Sequence, residues 1–336
     1  MKSTSATEFT DDYMRNNKSQ SAATRRTMAQ NLKRVEVLLA KPFERVRPAD
    51  FKGDDFMAKL KETYSVNTAI STVVAVIRFL DQKPGYQKRY QDELNALVNE
   101  RNTKQTLQQK TVSEKKNWVD YPELVAVVTE HAEQRAPTDP IQLRNFALMC
   151  AFTLMPPARI GNFAGMIHKK RADIKRQLKS LPSKFNYIVS DAGKHTFVFN
   201  KYKTAKFLGQ IITEVDNPTL NKVLEQHLRQ PGSKYFIATK DGAALPQSRL
   251  TGALKSISKK VVGKELSCNM FRHIFITDFL SRNPPLTEKI RVLRLCGQRY
   301  QPNSADLYER NSGIEDAAVE GVSNLDVILA SSDDEP

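Results

Sequence analysis

Four short stretches of this 336-residue chain carry residue types that could act together on a phosphate group. ARIGN (158–162) places Arg159 just after an apolar run, and KYKTAK (201–206) gathers Lys201, Lys203 and Lys206 between two runs of strand-like composition. MFRHIFIT (270–277) sets Arg272 and His273 inside an apolar helix, and CGQRYQPNSADLY (296–308) ends at Tyr308. A guanidinium presents a planar fork that matches two phosphate oxygens, an ammonium is a point charge on a flexible stem, and a phenol becomes an oxygen nucleophile when ionised. Singly, each has a plainer explanation. Arg159 follows Pro156 and Pro157 and suits a solvated turn. Lys203 suits an exposed hairpin tip and has rivals in Lys201 and Lys206, while Tyr308 beside Leu307 suits an amphipathic helix packed on a core. Arg272 and His273 resist that treatment, because a charged pair interrupting FRHIFITDFL must find buried partners.

Groups so far apart in sequence can meet only through folding. The first hundred residues read as helices: Met28, Leu32, Val35 and Leu39 in residues 21–40 recur at helical spacing behind Ser21 as N-cap, and the other face carries Arg25, Arg26, Lys33 and Arg34. DDFMAKLKETY (54–64) and NTAISTVVAVIRFLD (67–81) continue the pattern. Residues 101–117 are polar and basic without apolar periodicity, the composition of a linker. Helical patterns return near Tyr121–His131 and Pro140–Met155. The period then changes at KFNYIVSD (184–191) and KHTFVFNKYKTAKFLGQIITEV (194–215), which predict strands of a small antiparallel sheet. Five further helical patterns follow, the last at PNSADLYER (302–310). The expected class is mainly α with that small sheet, an α+β fold, with a helical domain over 1–100, a linker over 101–117, a second domain over 118–313 and an acidic tail over 314–336.

The length suits two cores, since single cores stop growing near ~250 residues. The net charge is +15, and because seven acids and no base lie beyond Arg310, residues 1–310 carry +22. Such a field favours a polyanion, whose condensed counterions are released on binding. Double-stranded DNA is the expected partner. No long apolar run suits a membrane. Cys150, Cys268 and Cys296 are odd in number and widely spaced, which predicts neither a disulfide framework nor a zinc site. The opening MKSTSATEFTDD has no apolar stretch of a signal peptide, so an intracellular protein, in nucleus or cytoplasm, is expected.

The ordered set Arg, Lys, Arg-His, Tyr resembles the tyrosine recombinases, the family of phage integrases, Xer-type resolvases and crypton-type transposases. The resemblance covers nearly the whole chain, with residues 1–100 similar to the family's DNA-clamping core-binding domain and the part from about 118 onward to its catalytic domain. It assigns Arg159 and Arg272 as the two catalytic arginines, Lys203 as the hairpin lysine, His273 as the histidine after the second arginine, and Tyr308 as the nucleophile. YKTAK with a glycine after it, together with KKNW (115–118), resembles the branch from eukaryotic mobile elements and large DNA viruses. Two positions depart from the pattern. Asn269 stands where histidine is usual three residues before Arg272, and Gln298 stands after Gly297 where histidine or tryptophan is usual. Both amides still donate a hydrogen bond, but neither shuttles a proton as imidazole does.

The resemblance implies DNA strand breakage and rejoining through a 3′-phosphotyrosine, with no cofactor, no metal and no ATP, by a homotetramer on two DNA sites. Arginine forks would neutralise the pentacoordinate transition state, Lys203 would protonate the departing 5′ oxygen, and the cationic pocket would favour the Tyr308 phenolate. A type IB topoisomerase, which uses closely similar residues, is one alternative. A catalytically weakened DNA-binding protein derived from a recombinase is another. Tyr300 rivals Tyr308, but Pro302 suits the first turn of a new helix carrying Tyr308. In the acidic tail, apolar residues from Ile314 to Leu329 recur at helical spacing, which suits a helix docked on a neighbouring subunit.

Overall fold

The computed structural model describes Arg15 and residues 22–80, 84–106, 110–230 and 234–300. Tyr308, the helix expected around it and the tail at 314–336 lie outside the described residues. The described residues divide into two units, one running to residue 106 and the other from residue 110 to residue 300.

The first unit contains four described helices: α1 (Ala22–Leu39), α2 (Asp55–Thr63), α3 (Val66–Phe79) and α4 (Pro84–Thr106). The i, i+3, i+4 pattern of α1 buries Met28, Leu32 and Val35 against Ile70, Val73 and Val76 of α3. Phe51, Phe56 and Tyr90 form an aromatic centre, with Phe51 and Tyr90 edge to face at 5.8 Å. The expected linker is helical at both ends. Its first residues continue α4, whose apolar anchors Tyr90, Leu94, Leu97 and Val98 fix the helix earlier along, so the polar turns beyond them add hydrogen bonds without needing an apolar face.

Its last residues form α5 (Val112–Asn117), started by a capping box in which Thr111 and Glu114 exchange side-chain-to-backbone bonds of 3.2 and 2.8 Å. This short helix is part of the second unit: Asn117 Oδ1 accepts from Glu265 N, and Lys264 Nζ donates to Lys116 O. The second unit then adds α6 (Tyr121–Gln134), α7 (Pro140–Thr153), a 3-10 turn (Ile160–Phe163), strands β1 (Ile167–Lys170), β2 (Tyr187–Asp191) and β3 (Lys194–Phe199), the short helix α8 (Ala205–Leu208), and β4 (Ile211–Glu214). The order closes with α9 (Pro218–Leu228), α10 (Gln247–Val262), α11 (Cys268–Ser281) and α12 (Leu286–Leu295).

Helix α7 is the centre of the core, buried on every side from Phe146 to Thr153, and α9, α10 and α11 pack around it. The class is the α+β fold the sequence implies. The sheet runs β1-β2-β3-β4 and is mixed: β2, β3 and β4 are antiparallel, while β1 lies parallel to β2 with Ile167 opposite Tyr187. That parallel edge was not expected. A parallel neighbour needs a crossover rather than a tight turn, and residues 171–186 supply it. Among the described residues no helix is long and apolar enough to cross a membrane.

Candidate active site

Helix α11 starts at Ser267, whose Oγ accepts from Met270 N at 3.3 Å, and its buried face sends Phe271 and Ile274 into the core beside Arg272. Arg272 is 1% exposed. Its Nη1 donates to Pro157 O and to Cys296 O, each at 2.7 Å. One acceptor lies two residues before Arg159 and the other two residues before Gln298. A single buried guanidinium therefore draws together three of the four segments singled out in the sequence.

The end of α12 explains how Gln298 is aimed. Gly297 adopts φ +68, and its N–H donates to Arg294 O at 2.8 Å while Gln298 N–H donates to Leu293 O at 2.9 Å, the pair of bonds of a Schellman cap. The left-handed residue reverses the chain and turns Gln298 inward, to 7% exposure. Its Nε2 is buried and has no hydrogen-bond partner among the described residues, and the same holds for Nε of Arg159, which caps the turn Ile160–Phe163. Unsatisfied buried donors are costly, and these two, on the segments that Arg272 ties together, leave room for an acceptor.

The lysine hairpin is joined to this floor by the Thr204 hydroxyl and by the Leu208 carbonyl. Thr204 Oγ1 donates to Gly297 O at 2.8 Å, and Arg294 Nη2 donates to Leu208 O at 3.0 Å. Asn186, 5% exposed, accepts from Asn200 N and Lys201 N at 2.8 and 2.7 Å and donates to Asn162 O at 2.8 Å. Lys201, Lys203 and Lys206 are all exposed, and Lys206 Nζ lies 5.1 Å from the Phe207 ring centroid. Lys203 takes no hydrogen bond or ion pair among the described residues. The sequence reading missed Asn186 and Thr204. A lone asparagine in the apolar run FNYIV was the available signal for the first; nothing distinguished the second from an ordinary hairpin threonine.

Asn269 and His273 lie on the same helix as Arg272, whereas the basic residues of α1 belong to the first unit. Asn269, on the first turn of α11, is exposed, and His273 has Nε2 3.8 Å from Glu114 Oε1. Burial pushes the Cys296 thiol up to about 12 although Arg272 pulls the other way, so it stays neutral beside that guanidinium. In the first unit Arg25, Arg26 and Lys33 are exposed on α1, whereas Arg34 is half-buried, bonded to Asn31 and 5.8 Å from the Tyr64 ring centroid.

Among solved structures, the chain is similar to a lambda integrase dimer bound to a COC′ core site, at 14% identity and TM-score 0.54, over 93% of this chain and 79% of that one. The chain has the tyrosine recombinase fold. The Tn1549 transposon integrase in complex with circular intermediate DNA is similar too, at 12% identity and TM-score 0.51, over 93% of this chain and 97% of that one. No protein-family model and no curated protein sequence matches. In the second unit, the segments of Arg159, Arg272, Gln298 and the lysine hairpin are joined by the hydrogen bonds described above.

Proposed function

We propose that this chain is a site-specific DNA recombinase or integrase that cleaves and rejoins DNA through a 3′-phosphotyrosine on Tyr308, without metal or ATP. The observation that carries the reading is Arg272, buried and held between Pro157 O and Cys296 O. A cation so fixed is pre-organised for charge that develops only in the transition state. Arg159 supplies the second fork, and Gln298 offers its buried amide to a phosphate oxygen. Tyr308 Oη attacks the phosphorus, the bond from phosphorus to the 5′ oxygen breaks, and Lys203 protonates that oxygen as it leaves. His273 is the imidazole next to Arg272 in sequence, and Asn269 lies one helical turn earlier.

The phosphotyrosine conserves the energy of the broken bond, so a 5′-hydroxyl from a second duplex reverses the step and exchanges strands. Each chain carries one Tyr308, and exchange of two duplexes breaks four strands, which calls for a homotetramer on two sites. The acidic tail suits docking between its subunits. Both solved neighbours are described with DNA bound, in agreement with double-stranded DNA as the partner. The cations Arg25, Arg26, Lys33, Arg34, Lys201 and Lys206 are suited to its backbone.

A nicked suicide duplex carrying the chain's own site tests the reading. A denaturation-resistant adduct, lost in Tyr308→Phe, is expected, and so is joining of two different duplexes. Relaxation of supercoils without joining would assign a topoisomerase, and tight binding without an adduct would assign a DNA-binding protein.

A further inference from the structure

From the end of β1 to the start of β2 the chain makes an excursion, residues 169–186, with seven Lys and Arg against the single acid Asp173. Lys170, Lys175, Arg176, Lys179 and Lys184 are exposed. Some exposed cations elsewhere meet carboxylates, as Lys259 does with Glu265 and Arg229 with Glu225, each at 2.8 Å, and others, Lys203 among them, do not. None of these seven forms an ion pair among the described residues. Like charges gathered without counter-charge repel one another and weaken the compact state, so the fold must hold them together by other means.

It does so with a second small core. One face of the sheet belongs to the main core through Ile188, Phe197 and Phe199; the other is covered by the excursion, whose Ile174, Leu178 and Leu181 pack on Tyr187, Val189 and Val198. Arg171 Nη1 donates to Ile174 O at 2.8 Å, Tyr187 OH to Pro182 O at 3.2 Å, and Asn200 Nδ2 to Phe185 O at 2.9 Å. The cations therefore stand on an anchored platform. Asn186, which ends the excursion, also holds Asn200 and Lys201, so the platform joins directly onto the lysine hairpin.

We propose that this excursion is a second DNA-contacting surface, which tracks duplex phosphates beyond the bond being cut. The inference rests on the reading of the site as one that acts on DNA, and adds to it a footprint the site residues do not supply. A fixed array of cations continuous with a phosphodiester site suits the regular charge of the same duplex better than a separate acidic partner. Each contact would release counterions and steepen the salt dependence of binding.

The test uses the full chain and Lys175→Gln/Arg176→Gln/Lys179→Gln, with Lys170→Gln/Lys184→Gln as an independent variant. Affinity for a short and a long duplex is followed across salt concentration by fluorescence anisotropy, and adduct formation is scored in the same samples. For the triple variant the slope of log affinity against log salt should fall by about 2 to 3, and affinity for the long duplex by roughly tenfold or more, with a smaller loss on the short one. Unchanged slopes in both variants overturn the proposal, as does a change seen only with single-stranded RNA or anionic vesicles. A normal adduct with unchanged slopes sinks this surface alone. No adduct from the unaltered chain, with the slope still shifted by the variants, sinks the recombinase reading and leaves the surface standing.

Discussion

The floor built on Arg272 and the hairpin that carries Lys203 adjoin each other and are made on opposite principles. Arg272 is sealed in the core, its Nη1 bonded to two carbonyls on distant segments. Lys203 stands exposed on a loop attached through Thr204, Arg294 and Asn186. The contrast matches the two tasks proposed for them. A group that stabilises charge at phosphorus acts best when it cannot move, because reorganisation then costs nothing at the moment of reaction. A group that delivers a proton to a departing oxygen must follow that oxygen, and a tethered but exposed ammonium can.

The most damaging break of this contrast is Arg272→Ala. It should lower strand cleavage by about a hundredfold to a thousandfold. It should also destabilise the second unit by roughly 1–3 kcal/mol for each buried carbonyl left without its donor. Cleavage in single turnover and urea unfolding measure the two losses; a variant that cleaves slowly but unfolds as the parent does would show that Arg272 is not part of the architecture. Lys203→Ala should lose about a hundredfold or more in cleavage while unfolding within ~0.5 kcal/mol of the parent. A 5′-thio leaving group, which needs little protonation, should restore it. Rescue of Lys206→Ala in place of Lys203→Ala would move the acid along the hairpin.

Thr204→Val sharpens the comparison by loosening the tether without touching a cation. Losing the bond to Gly297 O costs about 1 kcal/mol, so the hairpin should dock less tightly and cleavage fall by up to about tenfold. The 5′-thio substrate should recover only the part due to lysine placement. Equal rates for Thr204→Val and the parent on the ordinary substrate would mean that the hairpin is held by Asn186 and Arg294 alone.

The floor was more legible in the sequence than the hairpin, for a physical reason. An arginine inside FRHIFITDFL has to be partnered, so one end of the bond from Arg272 to Cys296 was visible as a constraint, whereas the left-handed helix end at Gly297 was not read from the sequence. Which of three lysines in KYKTAK faces the site depends on a tether through the side chains of Thr204 and Asn186, and periodicity carries no trace of that. The same limit hid the helical turns at 101–106 and 112–117, where polar residues extend or cap helices without an apolar stripe. It also hid β1, four residues of IHKK that belong to the sheet only because the excursion brings the chain back in parallel.

The smallest expected effect concerns the sheet that underlies both regions. His168 of β1, His195 of β3 and His227 of α9 are each held below the ordinary imidazole value, in every case chiefly by burial. His195 is bonded through Nδ1 to Asn221 Oδ1 at 2.9 Å, and its Nε2 lies 3.4 Å from Glu225 Oε2; that carboxylate opposes the burial without overcoming it. His168 shares Ser190 Oγ at 2.9 Å and is pushed further down by His195 and Lys170, against Glu225 and Asp173. His227 Nε2 donates to Phe236 O at 2.6 Å, with Arg144 and His168 adding to the effect of burial. A base whose pKa is lower folded than unfolded is bound to more protons when unfolded. The stability these neutral rings contribute is therefore complete above the unfolded value, ~6.5, and is lost as pH falls through it toward the folded values. The urea midpoint of the second unit should drop between about pH 7.5 and about pH 5, by less in His195→Gln than in the parent. Over the same range the floor and hairpin should stay joined, so that single-turnover cleavage by the molecules still folded changes less than the midpoint does. Identical midpoints at the two pH values would mean that Glu225 and the neighbouring acids offset burial in full.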